Sequence, residues 1–133
     1  MSVESTRQVL HAYIEALQAR GEYGRYFSDD VAFELMGSGQ RTAGPQAAEG
    51  TIRYLHEQAF DARPELKNLL VEDGKAALEA RFVGKHTGEF GGKAATGNEV
   101  DVPYSVIYDL DGDKITALRI YMPMDVLMRQ VGA

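Results

Sequence analysis

The chain of 133 residues contains no cysteine. That absence removes disulfides, thiolate metal sites and a cysteine nucleophile together. Basic residues are also scarce: 14 Lys and Arg stand against 20 Asp and Glu, for a formal net charge of −6. They are scattered without a run or stripe, so no phosphate backbone is gripped and no nucleic-acid partner is expected. No apolar run approaches the ~20 residues that a membrane span needs. The opening residues MSVESTRQ are polar and lead straight into a helical pattern, unlike a signal peptide. The expectation is a soluble, cytoplasmic protein without a membrane partner. The three histidines, His11, His56 and His86, form no cluster with metal-ligand spacing, so neither a metal nor a cofactor is expected.

What is present reads as one domain over residues 1–133, long enough to bury a core without staples. Leu10, Tyr13, Ile14 and Leu17 recur at helical spacing, giving the first helix one apolar stripe. Ser2 can cap its start, and Gly21 is placed to close its end in a left-handed conformation. Residues 31–36 read as a strand, entered through Asp29-Asp30 and stopped by Gly37-Ser38-Gly39. Pro45 opens a second helix, with Ala48, Ile52, Leu55 and Ala59 along one side and Asp61 and Pro64 marking its end. The period then changes to two. Residues 66–72, 76–86, 100–109 and 115–122 read as four strands, with tight turns at Asp73-Gly74 and Asp111-Gly112. A last helix over 124–131, with Asp125 as its cap, stops at Gly132. Helices first and a meander after them is an α+β pattern, with the helices on one face of a curved sheet.

Alternation assigns the faces. Val102, Tyr104, Val106 and Tyr108 share one side of their strand, opposite Asp101, Ser105 and Ile107. On the last strand Leu118, Ile120 and Met122 lie opposite Ala117, Arg119 and Tyr121.

Three signatures carry a resemblance. His86-Thr87-Gly88-Glu89-Phe90 is followed by Thr96-Gly97 and by a strand beginning Val100-Asp101-Val102-Pro103. Tyr26-Phe27-Ser28-Asp29-Asp30-Val31 enters the first strand, and Asp111-Gly112-Asp113-Lys114-Ile115 enters the last. In this order the chain resembles the SnoaL-like polyketide cyclases of the nuclear transport factor 2-like superfamily, relatives of ketosteroid isomerase and limonene epoxide hydrolase. The resemblance implies a cone: a curved antiparallel sheet with about three helices packed on its concave face, enclosing a small apolar molecule. It also implies a homodimer through the other face of the sheet. The substrate pocket would be lined by Phe33, Leu35, Val102, Val106, Leu118, Ile120 and Met122.

The chemistry such sites use is mostly missing. Ketosteroid isomerase-like sites shift a proton next to a carbonyl with a carboxylate base and two donors for the enolate oxygen. By that resemblance Tyr13 on the first helix is one donor, and Tyr104 stands where the second is an aspartic acid. The base follows a glutamate on the first strand, but here Glu34 is followed by Leu35. SnoaL-like cyclases keep an aspartate acid/base on the last strand, and the matching position is Ile120. The Arg-x-Asp pair of limonene epoxide hydrolase-like sites occurs nowhere in the chain.

Bland readings stand beside these. Tyr13 on an apolar stripe also suits a core tyrosine, Tyr104 a strand tyrosine, and His86 a structural or exposed histidine better than a proton shuttle. Two functions follow. One is an isomerase- or cyclase-like protein with an atypical site, in which Tyr13 and Tyr104 stabilise an enolate of a small cyclic or polyketide-like carbonyl compound and an unidentified base moves the proton. The other is a non-catalytic ligand-binding or dimerising accessory domain, which the replaced carboxylates favour.

Overall fold

The first helix, α1 (Val3–Gln18), starts on a reciprocal cap: the Ser5 amide donates to Ser2 Oγ at 3.0 Å and the Ser2 amide to Ser5 Oγ at 2.9 Å. The structure, a computed structural model, describes residues 2–132. Leu10, Tyr13 and Ile14 are buried, as the helical stripe requires. The end of α1 differs from the expected glycine closure. Arg20, not Gly21, takes the left-handed conformation, with φ of 56°. Its guanidinium donates to the carbonyls of His56 and Ala62, both at 3.1 Å, and to Asp61 at 2.6 Å. These tertiary anchors offset a backbone cost of roughly 1–2 kcal/mol for a non-glycine residue.

A short 3-10 turn (Tyr23–Tyr26) leads into β1 (Phe27–Leu35), which turns into β2 (Gln40–Ala43) and then α2 (Pro45–Arg53). The helix widens into a π-helical turn over Tyr54–Gln58 before β3 (Phe60–Glu72), β4 (Lys75–His86), β5 (Glu99–Asp111), β6 (Lys114–Tyr121) and α3 (Met124–Val131). The strand order is β2-β1-β6-β5-β4-β3. Three helices pack against this curved, open sheet, an α+β architecture.

One pairing departs from the all-antiparallel expectation: β1 runs parallel to β6, Phe33 beside Leu118 and Leu35 beside Ile120. The chain passes through β2, α2 and three strands between them, so no hairpin constrains their relative direction. The strand β3 also begins earlier than its period suggests, and Pro64 lies inside it opposite Phe82. An edge strand tolerates this, because only one side of it must donate to a neighbour. The strand β2 is too short and polar to read from pattern. At α3 the cap position is Pro123, while Asp125 sits in the first turn and pairs with Arg129 at 3.6 Å. Gly132 closes that helix in the left-handed region, with φ of 98°.

Two apolar clusters hold the helices to the sheet. Leu10, Tyr13, Ile14, Ile52 and Val31 belong to the larger one, with Leu78, Val106, Tyr108 and Leu118 from the strands. Leu127 and Val131 of α3 bury Phe60, Phe82, Val100 and Val102 in the smaller. Tyr104 packs against both.

The opposite face of the sheet is tied by charge. Asp109 accepts from Arg119 twice, at 2.8 and 3.0 Å, and from Lys75 at 2.7 Å, joining β4, β5 and β6. Hydrogen bonds from Arg119 hold its carboxyl down at about 2, below the usual 3.8. The stability this contributes is complete above the unfolded value and fades as pH falls toward 2. Asp109→Asn should therefore cost on the order of 1–2 kcal/mol at neutral pH and flatten the acid limb of the stability curve. Urea titrations of both proteins across the acid range measure this. An unchanged midpoint would mean that the three-strand clamp is fully screened.

Candidate functional site

Strand alternation and the parallel β1–β6 pair set apolar side chains side by side beneath α1, α2 and α3. Phe33 and Leu35 come from β1, Leu118 and Ile120 from β6, Tyr104, Val106 and Tyr108 from β5, and Leu78 and Phe82 from β4. The helices do not cover all of this surface. They leave a cavity of about 980 Å³, at the upper end of the size that encloses a drug-sized molecule. Met122, Met124 and Leu127 close one end, and Gln40, Arg41 and Thr42 of β2 contribute a polar portion of the wall.

Besides Tyr13, seven of the eight residues expected at the site from sequence line this wall: Tyr104, Phe33, Leu35, Val106, Leu118, Ile120 and Met122. Tyr13 lines it as well. Val102 does not. It is fully buried in the smaller cluster, because α3 folds back over that end of β5 and covers it with Leu127 and Val131. The return is fastened by Gln130, whose side-chain oxygen accepts from the Asp101 amide at 2.7 Å and whose amide donates to the Asp101 carbonyl at 3.1 Å.

Tyr104 and Tyr108 lie near enough to Tyr13 to raise its pKa, the Tyr108 ring edge-on to that of Tyr13 with centroids 6.0 Å apart. Among the described residues none of these three hydroxyls has a hydrogen-bond partner. Burial pushes all three phenols well above the usual value, and at Tyr13 the neighbouring Tyr108 and Tyr104 push further. They are neutral donors at any ordinary pH, able to polarise a carbonyl and unable to take a proton.

Among the described residues no Asp, Glu or Lys lines the cavity. Besides the three phenols, its ionisable residues are Tyr54, whose hydroxyl donates to the Glu89 carbonyl, Arg41 and His56. Neither these nor Tyr108 stood out as site residues in the sequence. Tyr108 was legible from the alternation that it shares with Tyr104 and Val106. For His56 the available signal was its place four residues after Ile52, on the apolar side of the second helical segment. Arg41 gave none, since β2 has no pattern of its own. His86 is buried, its Nδ1 2.9 Å from Thr96 Oγ1 and also accepting from the Thr96 amide at 3.2 Å. It fixes the loop after β4 and does not reach the cavity. The described residues contain no group of three or more acidic or histidine side chains placed to hold a metal, and no helix long and apolar enough to cross a membrane.

The family model of the SnoaL-like polyketide cyclases matches residues 7–131. The chain belongs to that family. Solved structures with the same fold include a candidate SnoaL-like polyketide cyclase from Jannaschia sp. CCS1, 19% identical with a TM-score of 0.87, covering 98% of this chain and 93% of that one. TsrD from Streptomyces laurentii is 20% identical with a TM-score of 0.83, covering 100% of this chain and 98% of that one. AclR from Streptomyces galilaeus, described as a candidate hydroxylase, is 19% identical with a TM-score of 0.81, covering 98% and 87%. Among curated proteins none matches the sequence. SnoaL-like membership thus fixes the scaffold, and a scaffold by itself does not fix the reaction.

The wall makes a specific demand on charge. Leu118 is 2% exposed, so Leu118→Asp places a carboxyl among apolar groups with no partner. Its folded-state pKa should rise above the unfolded value, and stability should then fall as pH rises through the unfolded value toward the raised one. A loss of several kcal/mol is expected at pH 8 and a smaller one at pH 5. Equal losses at both pH values, read by denaturant titration, would place Leu118 in contact with water.

Proposed function

We propose that the cavity binds a small cyclic or polyketide-like carbonyl compound and polarises its oxygen with the phenols of Tyr13, Tyr104 and Tyr108. The observation that carries this reading is the trio of neutral, unpartnered hydroxyls on one apolar wall. A carbonyl or enolate oxygen satisfies them, and the surrounding hydrocarbon receives the ring or chain that bears it. Gln40, Arg41 and Thr42 supply a polar station for a hydrophilic end of the same molecule. Membership of the SnoaL-like family supports a cyclase- or isomerase-like reaction there. The alternative, a non-catalytic binding domain, draws its support from Leu35 and Ile120 at the positions where related sites keep their carboxylates.

The dimer expected from the sequence is part of the proposal. The face opposite the cavity carries Ser105 beside Tyr121 and Ile107 beside Arg119, and Tyr121 is 45% exposed. Mixed apolar and polar surface of this kind suits a two-fold interface. Sedimentation at micromolar concentration should show a dimer that Tyr121→Glu weakens; a parent protein monomeric throughout would remove the second copy from the proposal.

Binding is testable without the natural substrate. 2-Naphthol, a planar apolar phenol, should bind the protein and be read by its own fluorescence. Tyr104→Phe removes one donor and should weaken binding several-fold, about 1 kcal/mol, with little change in fold. Wild-type protein that leaves 2-naphthol fluorescence unaltered at millimolar concentration would overturn the cavity as a site for such molecules.

A further inference from the structure

We infer that His56 is the proton acceptor of this cavity, a role that rests on the reading of the cavity as a carbonyl site and supplies what the strands lack. His56 lies in the π-helical turn over Tyr54–Gln58, where the Ala59 amide reaches back to the Tyr54 carbonyl at 2.7 Å. Such turns occur as local interruptions of α-helices and are frequent at functional sites. Here the interruption comes with two contacts that set the imidazole. Arg20 Nη2 donates to the His56 carbonyl at 3.1 Å, and His56 Nδ1 lies 2.8 Å from the Ile52 carbonyl oxygen.

That second contact decides the tautomer. A carbonyl oxygen only accepts, so Nδ1 carries the hydrogen and Nε2 carries the lone pair. Among the described residues Nε2 has no hydrogen-bond partner, and it is shielded from water. The ring itself lines the cavity and packs edge-on against Phe82, another wall residue, with centroids 5.2 Å apart. An unpartnered basic lone pair therefore sits on a ring that lines the apolar chamber.

The charged groups around the ring come from three elements. Arg20 follows α1 and is paired with Asp61 of β3, while Glu57 in the same turn is paired with Arg53 of α2. Burial lowers the imidazole below the ordinary 6.5, the Ile52 contact opposes this, and the Arg20 charge adds to it. His56 is then unprotonated at neutral pH and ready to accept.

The step balances within the site. His56 Nε2 takes a proton from the carbon next to the substrate carbonyl, and the C–H electron pair forms the enolate double bond. The carbonyl pair moves onto oxygen, where the tyrosine hydroxyls donate to it. Return of the proton from the imidazolium to a different carbon completes an isomerisation, and attack of the enolate carbon on a second carbonyl, with the proton going to that oxygen, closes a ring. A histidine on the helical wall thus replaces the strand carboxylates absent at Leu35 and Ile120.

5-Nitrobenzisoxazole tests this without knowledge of the substrate. Removal of its C3 proton by a base breaks the N–O bond, forms a nitrile and releases a coloured phenolate. Wild-type protein should accelerate the opening, with a rate that falls as pH drops through an inflection below 6.5. His56→Gln should lower the rate by on the order of 100-fold and abolish the inflection, while His11→Gln on the exposed side of α1 should change neither. Full activity in a folded His56→Gln variant, or no acceleration by wild-type protein that binds 2-naphthol, would overturn the role of His56 and leave the binding reading intact. Conversely, His56-dependent opening without 2-naphthol binding would sustain the acceptor and overturn the ligand class. A variant that fails to fold is bypassed by nitrogen NMR of labelled wild-type protein. The His56 signals should show the Nδ1–H tautomer, with Nε2 shifting on addition of 2-naphthol. An Nε2–H tautomer would sink the proposal.

Discussion

An uncovered apolar face is the constraint from which the cavity follows. Five of the six strands, all but the short polar β2, present hydrocarbon on one side, and only three helices are available to bury it. The helices α1 and α2 cover one part and α3 another, each making its own cluster. Between them the curved sheet keeps about 980 Å³ that no side chain fills. A flat sheet packed on the same helices would close that space or expose it to water. Curvature, helix number and the return of α3 over β5 together make a partly open chamber from residues that would otherwise be ordinary core.

The chamber then dictates the chemistry it can hold. Burial raises the phenols of Tyr13, Tyr104 and Tyr108, which makes them durable donors and excludes them as bases. The same burial lowers His56 below the usual imidazole value, which leaves it neutral. One physical cause, removal of water, therefore pushes donor and acceptor apart in proton affinity. That separation is what an enolising site needs. On the far side of the sheet, Asp109 meets Arg119 and Lys75 and remains ionised.

The SnoaL-like scaffold was legible in local sequence because turns and alternation are local properties. Asp111-Gly112, the HTGEF segment and the two-residue period of the strands name elements through the conformations those residues favour. The cavity wall followed from alternation for Phe33, Leu35, Val106, Leu118 and Ile120. Alternation failed at Val102, which has the right face but lies at the end of β5 that α3 covers. Register along a strand says which side a residue faces, and only the path of a distant helix says whether that side is open.

Sequence by itself determined the element order, the apolar face of each strand, the lack of a strand carboxylate at positions 35 and 120, and membership of a fold family. These rest on side-chain identity and on interactions between residues close in the chain. Tertiary structure decided the rest. It set β1 parallel to β6, gave the left-handed turn to Arg20 through acceptors about 40 positions away, and gathered three tyrosines from a helix and a strand around one space. It also settled His56, whose tautomer and proton affinity depend on a π-helical turn, a carbonyl and the absence of water. None of those is written in the identity of residue 56, because burial and hydrogen bonding are properties of the folded surroundings.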